Sequence, residues 1–492
     1  MSDFAQTLTG VLMPADKARS DYFYLPFRLP QPAGELRVRY RYTGAMSSDQ
    51  VEGGSVVDIG LFDPRGTTFP GGAGFRGWSG SRRDEFMIGL TEATPGYLPG
   101  PLPVGEYHIV LGLYRIHSEG TTYTVEVEAD WDNASEPSRP PAMNRRANHP
   151  SPIHGALLAS PAIHRWDSFV WLRGDLQSHT EHSDAHGTLE QLVAKARAIG
   201  LDFLAITDHN TVSHHPYLPD LAGDDLLLIP GQESTTYRGH MNIWGTPEWC
   251  DFRCRTDDDM AEVIGLAHRS GGVCSINHPK RGGPDWEYAE TLSVDAMEVW
   301  QGPWPWRNAE TLARWERLLI SGRRLPAVGG SDYHCPSGAE VGFLRLGQPT
   351  TSVLATERSV PAILDAIRAG RVAISAAPDG PRLDLRAGAG GATAAMGGSL
   401  HVPPGVTITI QVEVEGGAGR QLRVIADGAV VAEVQITAAR EVVRLSVAAE
   451  RYVRVELAGD APPDLLPPDA PAGIDLRDWR WALSNPIYIK QS

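Results

Sequence analysis

The hydrophobic period of the chain changes twice, and that change constrains the fold more than any other feature. Up to about residue 150, short runs alternate apolar and polar residues, as in Glu35–Tyr42, Val56–Leu61, Tyr107–Leu113 and Tyr123–Ala129, with Gly- and Pro-rich turns between them. From Trp166 the pattern becomes short apolar strand, turn, helix and strand again. After about Ala376 the period-two alternation returns in Val406–Val414, Leu422–Ala426, Val430–Val434 and Tyr452–Leu457. A chain of 492 residues has room for several domains at about 100–200 residues each. The expectation is an N-terminal β-sandwich or jelly roll over 1–150, a strand–helix body over 151–378 and a C-terminal β-sandwich over 379–492. Ser135–Pro152, rich in Pro, Asn, Ser and Arg, reads as the first linker.

Within the middle part, Thr188-Leu-Glu-Gln191 has the form of a capping box, and Leu189, Leu192, Val193, Ala196 and Ile199 follow helical spacing up to Gly200. Phe203–Thr207 and Leu226–Gly231 read as strands. Helix Met260–Ser270 leads to strand Val273–Asn277, and Ala296–Trp300 is a further strand. Helix Glu310–Ser321 precedes Pro326–Gly330, and helix Val360–Ala369 precedes Arg371–Ser375. Repeated strand–helix units predict a parallel sheet closed into a barrel.

Composition narrows the function classes. Apolar residues make up 42% and charged residues 21%, which excludes a disordered chain, a collagen or a coiled coil. The net charge of −16 disfavours nucleic acid and anionic membrane as partners. No uncharged apolar run reaches the roughly 18 residues of a membrane span. Four cysteines are too few for a disulfide scaffold, and the first residues lack a basic-then-apolar export pattern, so a cytoplasmic location is expected.

Histidine carries the chemical signal. Ten of the sixteen histidines fall between His179 and His334, and imidazole is the commonest metal ligand. Reading the polar residue just past each expected central strand gives Gln177, His179 and Asp184, then Asp208 and His209, then Glu233, His240, His278, and finally Asp332 and His334. Strand ends of such a barrel converge, and mixed imidazole and carboxylate donors suit zinc, manganese or iron. Two ions about 3.5–4 Å apart clamp an oxyanion and lower the pKa of bound water towards about 7. His334 or His209 would protonate the leaving group, with Asp208 as an orienter. Lys280 and Arg281, directly after His278, read either as a solvated pair or as an anion clamp, and Trp300, Trp304 and Trp306 either as packing or as an aromatic substrate wall. His182, His186, His214 and His215 read as loop residues and His268 as structural. Cys250 and Cys254 have metal-like spacing but no second pair, and Cys335 lies beside His334 without a nucleophilic role.

The ordered set Gly-Asp-Leu-Gln177-Ser-His179, Ser183-Asp184, Asp208-His209, Glu233, Gly-His240, Asn-His278-Pro and Gly-Ser-Asp332-Tyr-His334 resembles the PHP (polymerase and histidinol phosphatase) superfamily of metallohydrolases. The flanking β regions and Ser484–Tyr488 resemble its carbaryl-hydrolase-like CehA/McbA branch. The resemblance implies a distorted, TIM-like (β/α)7 barrel with two or three divalent ions. It implies that His179, Glu233 and Asp332 hold one ion, that Glu233 bridges to a second held by His240 and His278, and that Asp184, His209 and His334 hold a third. Where the family usually has His-x-His, this chain has Gln177, a weaker and harder ligand.

The expected activity is that of a metal-dependent phosphoesterase acting on a small-molecule ester by attack of metal-activated hydroxide. The alternative within the class is hydrolysis of an aromatic carbamate or carboxylic ester. The alternative outside it is a binding or scaffold protein whose Gln177 marks weakened catalysis.

Overall fold

A computed structural model describes residues 2–46, 53–132, 169–282, 285–337, 344–461 and 475–491. The expected linker Ser135–Pro152 and the Trp166 boundary lie outside the described residues. The N-terminal part forms two four-stranded antiparallel sheets. One orders Phe4–Leu12, Thr121–Asp130, Glu35–Tyr42 and Glu85–Gly89; the other orders Tyr22–Leu29, Gly105–Arg115, Val56–Phe62 and Phe75–Gly80. Inward residues of both, including Leu36, Val38, Val57, Ile59, Ile109 and Val125, share one core, as alternating strands of a sandwich require.

The central elements are β1 (Val170–Asp175), α1 (Leu189–Ala198), β2 (Phe203–Ile206), β3 (Leu227–Thr236), β4 (Gly239–Trp244), α2 (Asp257–Arg269), β5 (Val273–Asn277), β6 (Ala296–Gln301), α3 (Asn308–Ile320), β7 (Ala327–Gly330), β8 (Thr350–Ala355), α4 (Val360–Arg368) and β9 (Val372–Ser375). The capping box expected at Thr188 and Gln191 forms at α1. A second one, Thr256 with Asp259, starts α2 earlier than its apolar period suggests.

The sheet departs from the expected parallel barrel. Its order is β7-β6-β5-β4-β3-β2-β1-β8-β9. β1, β2 and β3 run parallel, as do β5, β6 and β7. β4 is antiparallel to both its neighbours, and β8 to β1 and β9. The physical reason is local. Thr236 to Gly239 turns β3 straight back into β4 as a hairpin, and α4 returns β9 against β8 in the opposite sense. The sheet curls until Thr351 Oγ1 accepts from Gly329 N–H at 2.9 Å and donates to Gly329 O at 2.7 Å. Among the described residues no ladder joins β7 to β1 or β8.

Nor does the sheet stop at β9. Ala373, Ile374 and Ser375 pair with Ser484, Leu483 and Ala482, and the ladder continues through Tyr452–Gly459, Gln421–Ala426 and Ala429–Gln435. The second C-terminal layer, Ala392–Ala395, Arg382–Ala389, Ile408–Glu415 and Arg440–Val447, packs over that extension through Leu385, Ile410, Val412, Val424 and Val455. Among the described residues no helix is long and apolar enough to cross a membrane.

Candidate metal centre

The first three site segments follow from strands that end on polar residues. β2 is a fully buried apolar run ending in Thr207-Asp208-His209-Asn210. β1 leads into Gln177 and His179, while Glu233 stands in the last half of β3 and His240 at the start of β4, on either side of the hairpin that joins them. β5 and β7 stop just before His278 and Asp332. Asn210, His278 and Asp332 hold φ of 59°, 28° and 55°, a left-handed conformation that side chains adopt at a cost and that clusters at functional sites.

These ends converge. Glu233 is fully buried and lies at the centre. Its Oε1 is 3.1 Å from His240 Nδ1 and 3.3 Å from His278 Nε2, and it accepts from Asn277 Nδ2 at 3.0 Å. Its Oε2 lies 3.1 Å from His209 Nδ1 and 3.4 Å from His179 Nε2. Despite that proximity, Oε2 is buried with no hydrogen bond of acceptable geometry. His179 Nε2 also meets Asp332 Oδ1 at 2.9 Å, and Asp332 accepts from Gln177 Nε2 at 3.2 Å and Gln301 Nε2 at 3.0 Å. A further group forms where Asp184 Oδ1 is 3.2 Å from His334 Nε2 and 3.5 Å from His209 Nε2.

Second contacts fix the rings. His334 Nδ1–H donates to the Asp332 carbonyl at 2.7 Å, which turns its Nε2 towards Asp184. His209 Nδ1 lies 2.6 Å from Thr235 Oγ1, which itself donates to the Glu233 carbonyl. Its Nε2 likewise faces Asp184. This is how outer contacts prepare an imidazole to ligate. Three ligand groups result: His179, Asp184, His209 and His334; Glu233, His240 and His278; and His179, Glu233 and Asp332. Glu233 Oε2, His179 Nδ1 and Gln177 Oε1 are buried without hydrogen-bond partners, a costly state for polar atoms unless a cation completes them. The donor set therefore fits divalent transition metals.

The electrostatics agree. Burial opposes charge on every member, yet Asp184, Glu233 and Asp332 are held below the usual carboxylate range by the surrounding imidazoles. Burial also opposes charge on His209 and His334, but their carboxylates prevail. His209 is raised to about 9, mainly by Asp184 and then Glu233, and His334 is raised well above its ordinary value by Asp184 and Asp332. His179 and His240 are lowered, burial being the largest cause.

Other expected residues lie elsewhere. Asp208 is fully buried but does not orient His209. Its carboxylate takes Thr180 N–H, Thr180 Oγ1, Ser183 Oγ and His214, so it ties down the loop that carries Asp184. Lys280 is buried and donates to Gln301 O and Asn308 Oδ1, each at 3.1 Å, rather than standing free as a clamp. Arg281 pairs with Glu310 at the surface. Trp304 packs edge-on to Trp300 and lines a different cavity, with Glu316 and Arg454. Cys250 and Cys254 are buried free thiols in no ligand group. His268, Cys274 and Asp295 form a separate ligand-like trio, in which Asp295 Oδ2 meets both His268 Nε2 and the Cys274 N–H at 2.8 Å. Sequence reasoning missed Asn277, Gln301, Thr235 and His214. The first two end β5 and β6, so the strand-end rule that found the ligands applies to them as well.

The centre is not roofed by its own body alone. Asp184, His209 and His240 border a cleft of about 520 Å³ whose opposite wall is the N-terminal sandwich. Gly96 N–H donates to Ser213 Oγ, which meets His182 Nδ1 at 2.7 Å, and Arg83 donates to the Glu181 carbonyl.

Residues 175–297 match the family model of the PHP domain. The PHP match takes in Gln177 to His278, whereas Asp332 and His334 lie beyond its end. No curated protein matches the chain. Among solved structures, the chain is similar to a two-domain protein from Bacteroides vulgatus containing a predicted PHP-like metal-dependent phosphoesterase, at 16% identity and a TM-score of 0.36. That alignment covers 68% of this chain and 99% of the other. It is also similar to an amidohydrolase from Chromobacterium violaceum with bound sulfate and no metal, at 17% identity and a TM-score of 0.25, over 35% of this chain and 90% of that one.

Proposed function

We propose that the protein is a metal-dependent phosphoesterase. One observation carries this reading: a single buried carboxylate, Glu233, presents one oxygen to His240 and His278 and the other to His209 and His179. A shared carboxylate between two donor groups suits a pair of cations that grips both oxygens of a phosphoryl transfer. Divalent ions bound there polarise the ester and acidify water. The PHP match over 175–297 supports the same reaction class.

The chain's own groups then divide the work. Asp332, steadied by Gln177 and Gln301, and Glu233, steadied by Asn277, fix the donor set. Water adds to phosphorus, the bond from phosphorus to the alcohol oxygen breaks, and that oxygen takes a proton. His209 lines the cleft, and His334 has the most exposed ring around Asp184, so while the Asp184 group holds no ion these are the groups placed to supply it. Lys280 and Arg281 are engaged elsewhere, so of the cationic side chains Arg82 lines the cleft, and ions held by the Glu233 and Asp332 donor groups would supply further positive charge for the substrate anion.

The carbamate or carboxylic ester reading keeps one supporting observation, the Trp78 and Tyr114 side chains on the far wall of the cleft. Assay of the manganese- or zinc-loaded protein on nitrophenyl phosphate, bis-nitrophenyl phosphate and a naphthyl carbamate separates the two. Phosphate-ester turnover is expected. Carbamate turnover with no phosphate-ester turnover would reverse the assignment. Loss of all turnover, with fewer than one tightly held metal per chain, would return the scaffold reading.

A further inference from the structure

The N-terminal sandwich does more than cover a sheet. In the strand Val56–Phe62, Val57, Ile59 and Leu61 fill the sandwich core, which turns Asp58 to the other face, towards the metal centre. A carboxylate in a fully buried strand is an expensive residue for packing alone. Asp58 is only 9% exposed and lines the cleft. Its Oδ2 accepts from Tyr237 O–H at 2.6 Å across the domain boundary. Tyr237 is itself held in place, stacked on Tyr22 and edge-on to Tyr114.

Beside Asp58 lies Trp78. A Cβ placed on Gly80 would sit 3.8 Å from both Asp58 Oδ1 and Trp78 Nε1 and within 4 Å of nothing else. One acceptor and one donor therefore border the same open space, next to an indole and the Tyr114 ring. Among the described residues, no group hydrogen-bonds Asp58 Oδ1 or Trp78 Nε1. The same cleft reaches Asp184, His209 and His240 at its other end.

We infer that this two-domain cleft is the leaving-group site, and that Asp58 and Trp78 select esters of neutral, ring-bearing alcohols carrying a further hydroxyl or amide. Such a group donates to Asp58 and accepts from Trp78, while its ring lies along the aromatic wall. A second anionic group at that position faces the Asp58 carboxylate and is disfavoured. The inference rests on the hydrolase reading and adds a specificity-determining pair from outside the metal body.

The test compares kcat/KM for 3-hydroxyphenyl, phenyl and 3-carboxyphenyl phosphate with metal-loaded full-length protein. The hydroxyl substrate is expected to exceed phenyl phosphate by about tenfold, the worth of a good hydrogen bond, and the carboxyl substrate to fall below both. In Asp58→Ala the hydroxyl-to-phenyl ratio should fall to near one. In Asp58→Asn, which keeps the shape, rejection of the carboxyl substrate should weaken. Equal ratios in the wild type, or ratios unchanged by both variants, would overturn the inference. Binding of free resorcinol against phenol, followed by NMR with the metal-free protein, reads the cleft without turnover. A resorcinol preference lost in the Asp58 variants upholds the cleft even if no phosphate ester is hydrolysed, and no preference sinks it.

Discussion

Loading the stripped protein with metal should expel protons, and the structure gives their number. In the metal-free cluster Asp184, Glu233 and Asp332 are already ionised, and His179 and His240 are shifted towards the neutral form. His209, raised to about 9, and His334, raised well above its usual value, carry protons at pH 7. Both present Nε2 to the Asp184 group and must lose those protons to ligate. About two protons should therefore leave per chain on saturation at pH 7. For His209 alone, a gap of about two pH units corresponds to about 3 kcal/mol, or a hundredfold weakening of metal affinity at pH 7 relative to pH 9. The sign for stability is the opposite. The raised imidazoles stabilise the metal-free fold fully below about pH 6.5, and that contribution disappears as the pH climbs through about 9 for His209. Titration calorimetry with manganese, repeated in buffers of different ionisation enthalpy, counts the protons. His334→Gln should release about one fewer. Release of less than about half a proton, with affinity flat from pH 7 to 9, would refute the proposed charge state of the cluster.

Replacing His278 with Ala, or Asp332 with Asn, should lower nitrophenyl phosphate turnover by more than about 100-fold with unchanged far-UV circular dichroism. Near-normal turnover in either variant would move the site elsewhere. Glu316→Gln should destabilise the chain by about 1–3 kcal/mol in urea unfolding, because Arg454, buried at 4% exposure, would keep its charge and lose one of the two carboxylates, Glu316 and Glu456, that hold it. Gly96→Ala should cost about 1–3 kcal/mol and weaken metal binding. Gly96 has φ of +99°, and an added Cβ would stand 2.8 Å from the Trp78 carbonyl and 2.9 Å from the His182 carbonyl, forcing apart the sandwich and the Asp184 loop.

The ligand set was legible in the sequence because strands that end on His, Asp or Glu announce themselves one by one. The expectation that residues past strand ends converge holds for His179, His209, His278, Asp332 and His334, whereas Glu233 lies inside β3 and His240 at the start of the antiparallel β4. The barrel was less legible. Four-residue strands such as Phe203–Ile206 look alike in parallel and antiparallel ladders, and the two-residue loop Tyr237-Arg238 lacks the Asn-Gly or Asp-Gly signature that announces a hairpin. Lys280 and Arg281 show the limit of reading charge from spacing. Their neighbours Asn308 and Glu310 sit almost thirty residues away, on the first turn of α3, and capture both. The contribution of Asp58 was equally hidden, since an acidic residue in an alternating strand reads as solvent-facing until a second domain is laid against it.

The ladder that runs from Val372–Ser375 into Trp479–Ser484 also bears on how this protein can be dissected or recombined. Removing the tail would not detach a bead from a string; it would strip a seam, baring the backbone edge of β9 to any passing strand. Gene fusions, truncations and swapped tails that respect the boundary near residue 378 in sequence would still cut through a single woven piece of fabric.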